Sequence, residues 1–260
     1  MSVSSIYRWH EGALLSLDYC DMTDVAIVAA DSWLVADGAV RAIGLHRERF
    51  FATASAVVER VELDAFWEAA IALIPREESW FPRVELQRRV TGSPLLVFRL
   101  RSAPRLDRSV VVATHVGPDP RTEPTVKGPD LERMLRARSA VQPLGAGEGV
   151  LLADDAYVAE GTTTCLLWWR GDILCGPPAE FDRIDSVTVR SVLALARALG
   201  IDTFEEAVTP SELDGVELWA LNALHGIRIV TRWVDGPELS ELPGRLGMWR
   251  ARLEALRKPL

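Results

Sequence analysis

The stretch from Glu148 to Pro178, EGVLLADDAYVAEGTTTCLLWWRGDILCGPP, constrains the fold more than any other part of the chain. Short apolar runs alternate with turn signals at Asp154-Asp155 and Gly171-Asp172, which predicts a strand meander. In its middle, Glu160 stands between two apolar strands and is followed by a glycine and three threonines. Burying a carboxylate there costs several kcal/mol unless a cation or a hydrogen-bond donor meets it. The partner of Glu160 is therefore the first functional question the sequence poses.

The rest of the chain alternates strand and helix patterns. VAIVAADSWLVADGAV (25–40) reads as strand, with Asp37-Gly38 as a turn. The spacing from Leu45 to Val58 predicts a helix. A second helix is expected over Ala65 to Ile74, capped by Asp64 and stopped by Pro75. PLLVFRLRSAP and SVVVATHV read as two strands, and Arg99 and Arg101 alternate on the first, so they share a face. Four prolines and two glycines then fall between Gly117 and Asp130, marking a linker. Beyond it come a helix over LERMLRARSAVQPLG, the meander, an amphipathic helix over Thr188 to Gly200, two strands and a terminal helix. The expected organisation is α/β in two domains. An N-terminal α/β domain spans 1–118, a linker 119–124, and a β-rich α/β domain 125–260.

Composition narrows the function. The 260 residues carry a formal net charge of −8, which argues against nucleic acid as a general partner. No apolar run approaches the roughly 20 residues that span a bilayer, and no secretory leader pattern is visible. The three cysteines have no metal-ligand or framework spacing and are expected to be thiols in a reducing cytoplasm. Four scattered histidines give no zinc pattern, so no metal is expected.

Three features have complementary chemistry. Lys127 lies in the Pro/Gly-punctuated segment, and a lysine amine condenses with aldehydes. Glu160 offers a buried carboxylate for a protonated ring nitrogen. Val187 and Thr188 open a helix whose backbone amides suit a phosphate. An aldehyde, a pyridine nitrogen and a phosphate on one molecule describe pyridoxal 5′-phosphate (PLP).

The order of the motifs resembles the class IV aminotransferases, the fold-type IV PLP enzymes that include branched-chain and D-amino-acid aminotransferases and aminodeoxychorismate lyase. VAEGTTTC (158–165) is similar to the family pattern V-x-E-G-[ST]-x-[ST]-N. VKGPDL places Lys127 thirty-three residues before Glu160, as the family places its lysine. IDSVTV (184–189) resembles the phosphate-cup motif, LHRERF the H-x-x-R helix, and ADG (36–38) the G-D-G turn before it. The resemblance runs from about residue 25 to residue 236.

It implies that Lys127 carries the Schiff base and moves the proton, and that Glu160 binds the pyridine nitrogen. Arg49, the Val187 and Thr188 amides and the Thr188 hydroxyl would hold the phosphate. The implied reaction is amino transfer between an amino acid and a keto acid by a homodimer. Two alternatives stand beside it: a lyase that expels pyruvate, and a degenerate domain without turnover. The chain departs from the family at Cys165 (Asn in the pattern), at Asp185-Ser186 (Pro-Gly) and at Val189 (Arg). It departs again at Ala223, where the family has Ser or Thr.

Overall fold

A computed structural model describes residues 4–17, 25–89 and 93–260. In chain order the elements begin with β1 (Ser4–His10), β2 (Ala13–Leu17), β3 (Val25–Ser32), β4 (Val35–Ala36) and β5 (Ala39–Arg41). The helices α1 (Ile43–Ala54) and α2 (Arg60–Ala72) follow, then β6 (Ser79–Trp80), β7 (Arg83–Arg89) and β8 (Leu95–Arg101). Next come β9 (Ser109–Thr114), α3 (Leu131–Val141), β10 (Glu148–Leu152), β11 (Val158–Gly161), β12 (Cys165–Arg170) and β13 (Ile173–Gly176). The chain closes with α4 (Val187–Ala198), β14 (Thr203–Glu205), β15 (Glu217–Asn222), β16 (Gly226–Val234), α5 (Arg245–Glu254) and β17 (Arg257–Pro259).

Two compact units result. The first gathers 1–106, 126–129 and 256–260; the second gathers 107–125 and 130–255. By contacts, β9 and residues 119–124 therefore group with the second unit, and Lys127 with the first.

The first unit holds a five-stranded antiparallel sheet in the order β2-β1-β8-β7-β3 and a small sheet β17-β5-β4-β6. Its core joins Trp33, Phe50, Phe66, Trp67, Leu86 and Phe98, with the apolar face of α2 supplying Leu63, Phe66, Trp67 and Ala70. The helix itself starts at Arg60, a turn earlier than Asp64. Asp64 accordingly sits inside α2, accepting from Arg60 at 3.2 Å and from Arg47, and Glu59 is the N-cap. An (i, i+4) ion pair along the helix has replaced the expected cap. Strand β7, RVELQRR, reads as polar, yet Val84 to Gln87 are buried. Its polar residues pair among themselves: Gln87 donates to Glu85 at 2.6 Å, and Arg99 of β8 donates to Glu85 at 2.8 Å.

The second unit is built on an eight-stranded mixed sheet, β11-β10-β9-β16-β15-β12-β13-β14. Alternation along β12 sends Leu166 and Trp168 into one core and Cys165, Leu167 and Trp169 into another, so both sheet faces are covered. Helix α4 lays Val189, Val192 and Ala196 on the second core, beside a mutually edge-on cluster of Trp169, Trp219 and Trp249. Ser186 is the N-cap of α4 and accepts the Val189 amide at 3.3 Å; Thr188 is already in the first turn. Cys165 and Cys175 carry buried thiols, while Cys20 lies outside the described residues. Among the described residues no helix is long and apolar enough to cross a membrane.

Candidate active site

In the first unit the site residues hang on β3. The Ala30 amide donates to the Lys127 carbonyl at 2.7 Å. Gly128 follows with φ +147°, and a Cβ there would stand 2.7 Å from the Ala29 Cα. Only glycine allows that approach, which pins the half-buried Lys127 segment against the strand. One residue past Ala30, Asp31 is fully buried. It accepts the His46 Nδ1–H at 2.8 Å, Arg49 Nε at 2.8 Å and Arg49 Nη2 at 2.9 Å. His46 and Arg49 are three apart on α1 and face the strand together. Burial opposes ionisation of Asp31, but its bonds to His46 and Arg49 outweigh burial and hold its pKa at about 2. Burial also pushes His46 below the usual imidazole range, against Asp31 and with help from Arg49 and Lys127, so it is a neutral donor at pH 7. The sequence signal for Asp31 was a lone acid in an apolar strand.

In the second unit Glu160 ends β11, buried with Val158 and Ala159. What meets it is Arg121, whose Nη1 donates to Glu160 Oε1 at 2.6 Å. The same guanidinium donates through Nε and Nη2 to both oxygens of Asp119 and through Nη1 to the Asp182 carbonyl at 2.8 Å. Burial would lower the Arg121 pKa, but Asp119 and Glu160 raise it. Gly161 must follow Glu160 because a Cβ there would lie 2.3 Å from Thr164 Oγ1. The threonines serve a second buried acid. Thr162 Oγ1, the Thr163 amide (2.6 Å) and Thr163 Oγ1 (2.6 Å) all donate to Glu148, which also meets the buried Arg228 at 3.4 Å.

Arg121 thus joins Glu160 to the segment that leads into α4. Cys165, standing where the motif has asparagine, adds a contact from Sγ to the Ile184 carbonyl at 3.9 Å. With Ser186 taking the Val189 amide, the Val187 and Thr188 amides have no hydrogen-bond partner among the described residues. Asp185 is exposed and pairs with Arg190 at 3.2 Å. Beside Ala223, Asn222 donates to the Thr163 carbonyl at 3.3 Å and accepts the His225 amide at 2.8 Å, so its side chain orders this loop.

Of the residues expected from sequence, Lys127 and Arg49 belong to the first unit, and Glu160, Val187 and Thr188 to the second. Sequence reading did not find Arg121, Asp31, Glu148 or Arg228. Arg121 is signalled only as an arginine among prolines.

Comparison with known proteins bears on the family and the fold. The family described as amino-transferase class IV matches residues 29–233. An aminotransferase from Mycobacterium tuberculosis in its PLP-bound form, described as hypothetical, superposes with a TM-score of 0.80 at 18% identity, covering 98% of each chain. A fold IV-transaminase from Curtobacterium pusillum gives 0.79 at 15% over 97% of each. The branched-chain amino acid aminotransferase of Escherichia coli gives 0.82 at 17%, covering 96% of this chain and 94% of its own. No curated protein sequence matches the chain significantly.

The chain belongs to the class IV aminotransferase family and has its fold-type IV architecture. It is an enzyme of a PLP-using family. Taken unit by unit, the residues present suit that cofactor's groups: the first unit holds an anchored lysine, and the second a buried carboxylate and two first-turn amides with no hydrogen-bond partner among the described residues.

Proposed function

We propose that this enzyme moves an amino group between an amino acid and a keto acid, with Lys127 as the amine that bonds the cofactor's aldehyde. The observation that carries the reading is Glu160, a buried carboxylate held against Arg121 at 2.6 Å within the VAEGTTTC motif. PLP, when bound, supplies the aldehyde and a ring that withdraws electrons. Glu160 accepts the ring N–H and keeps it protonated. Arg49 contributes charge to the phosphate while Asp31 fixes its fork through Nε and Nη2. The Val187 and Thr188 amides and the Thr188 hydroxyl would donate to the same phosphate. Lys127 Nζ, as a free amine, would take the proton from the substrate's Cα as a general base.

Asp185 turns to Arg190 and Asn222 orders the loop at Ala223, so neither of these two departures occupies the Val187 and Thr188 amides. That supports turnover over a degenerate domain. The reading extends to a homodimer in a reducing cytoplasm, consistent with the thiols of Cys165 and Cys175. Light scattering checks the oligomer.

The test is the visible spectrum of the protein with PLP, beside Lys127→Ala. A pH-sensitive band near the cofactor's absorption, present in the wild type and absent in the variant, is expected. Loss of the band from both proteins overturns the proposal. Turnover that requires a keto acid marks the transaminase; pyruvate release without one marks the lyase.

A further inference from the structure

Resting on the reading that Glu160 faces a pyridine nitrogen, we infer that Arg121 is a positioning residue: it holds the Glu160 carboxylate as an anion in one orientation for that nitrogen. The side chains of Arg121 and Glu160 are only 6% and 4% exposed. A pair this dry is strongly coupled, and removing one partner strands the other charge. Ala159 and Gly161 flank Glu160, Leu151 stands opposite on β10, and the hydroxyls of Thr162 and Thr163 are taken by Glu148.

Arg121 is itself immobilised. Asp119 takes Nε and Nη2 in a fork and also accepts the Arg121 backbone amide at 2.9 Å. The loop behind it is fixed by Asp130, which accepts the Thr122 amide at 2.9 Å and the Glu123 amide at 2.8 Å. Pro118, Pro120 and Pro124 restrict the same loop. The order of charges is therefore anion, cation, anion, from the rim inwards, since the Asp119 side chain is 36% exposed. A lone lysine ammonium would neutralise Glu160 but would not orient it, because it lacks the planar fork.

The role is separable from simple structural support by comparing two cofactors. PLP carries the ring nitrogen; its 1-deaza analogue replaces that nitrogen with C–H. Dissociation constants of both are measured by equilibrium dialysis for the wild type, Arg121→Gln, Arg121→Lys and Glu160→Gln. The wild type is expected to prefer PLP, and Glu160→Gln to lose that preference. Arg121→Gln should shrink the preference about tenfold or more, as expected for a buried charge-assisted contact, and Arg121→Lys should recover part of it.

A merely structural arginine would weaken both cofactors alike and leave the ratio unchanged. An unchanged ratio in Arg121→Gln, with the preference abolished in Glu160→Gln, overturns the inference about Arg121. An unchanged ratio in Glu160→Gln instead overturns the placement of Glu160 on the nitrogen, which is a different failure. If Arg121→Gln does not fold by circular dichroism, Asp119→Asn takes its place. By freeing the guanidinium it should lower the ratio by a smaller factor, and no change in it counts against the inference.

Discussion

His225 shows what single side chains add to this fold. Its Nδ1 accepts the Asp107 amide at 3.1 Å, so the neutral ring carries its proton on Nε2. Burial, then Arg228, holds its pKa down to about 4. Unfolded, the ring titrates near 6.5. Between about pH 6.5 and 4 the unfolded chain therefore binds a proton that the folded chain refuses, and stability falls as the pH drops through that window. Above about pH 7 the contribution is complete. Thermal melts from pH 8 to 4 should show this decline, and His225→Gln should flatten it. His46, depressed in the same direction, leaves a residual slope. An equal slope in wild type and variant would remove His225 from this account. None of this was readable from sequence, where His225 was one of four scattered histidines. Its pairing with Asp107 spans 118 positions of chain.

At the scale of elements, periodicity read well and burial of polar residues read poorly. The meander, α1, α4 and the β15–β16 pair follow from alternation and helical spacing, which are local properties. Strand β7 escaped because Glu85 and Gln87 are buried against each other and Arg99, a compensation visible only once the strands are in register. The start of α2 was misplaced for a related reason: Asp64 has a capping residue's chemistry but an ion-pair partner one turn back. The Lys127 segment carries the sharpest prediction at this scale. Gly128→Ala drives a Cβ into the backbone of β3 and forces an L-residue to φ +147°. We expect a loss of roughly 2–4 kcal/mol in stability, together with a fall in the fraction of protein labelled by PLP and borohydride, read by mass spectrometry. Labelling and stability equal to wild type would show that the clamp does not position Lys127.

Across the whole molecule the chain does not divide at one point. The first unit recruits 126–129 and 256–260 as well as its N-terminal residues. The expected terminal helix ends at Glu254, and β17 then pairs antiparallel with β5, Arg257 opposite Arg41. The Leu260 amide donates to the Gly38 carbonyl at 2.9 Å, and Leu260 packs on the core of the first unit. Removing 256–260 deletes several backbone bonds and one apolar contact, worth roughly 2–4 kcal/mol together. Amide exchange should accelerate in β4 and β5 and stay slow in β12 and β15. Uniform acceleration, or none, would contradict a contribution confined to the first unit.

The sequence by itself determined the family, the β-rich α/β character, and the identity of Lys127, Glu160 and the α4 start as the residues to watch. Each of those rests on local order, spacing or alternation, which a chain carries with it before it folds. Tertiary structure decided which groups the chain brings to them. It set Gly128 on Ala29, Asp31 between His46 and Arg49, Glu148 beneath the threonines, and Arg121 on Glu160 across 39 positions of chain. Such pairs are selected by the cost of leaving a buried charge or donor unmet. That cost exists only after the core has closed around them.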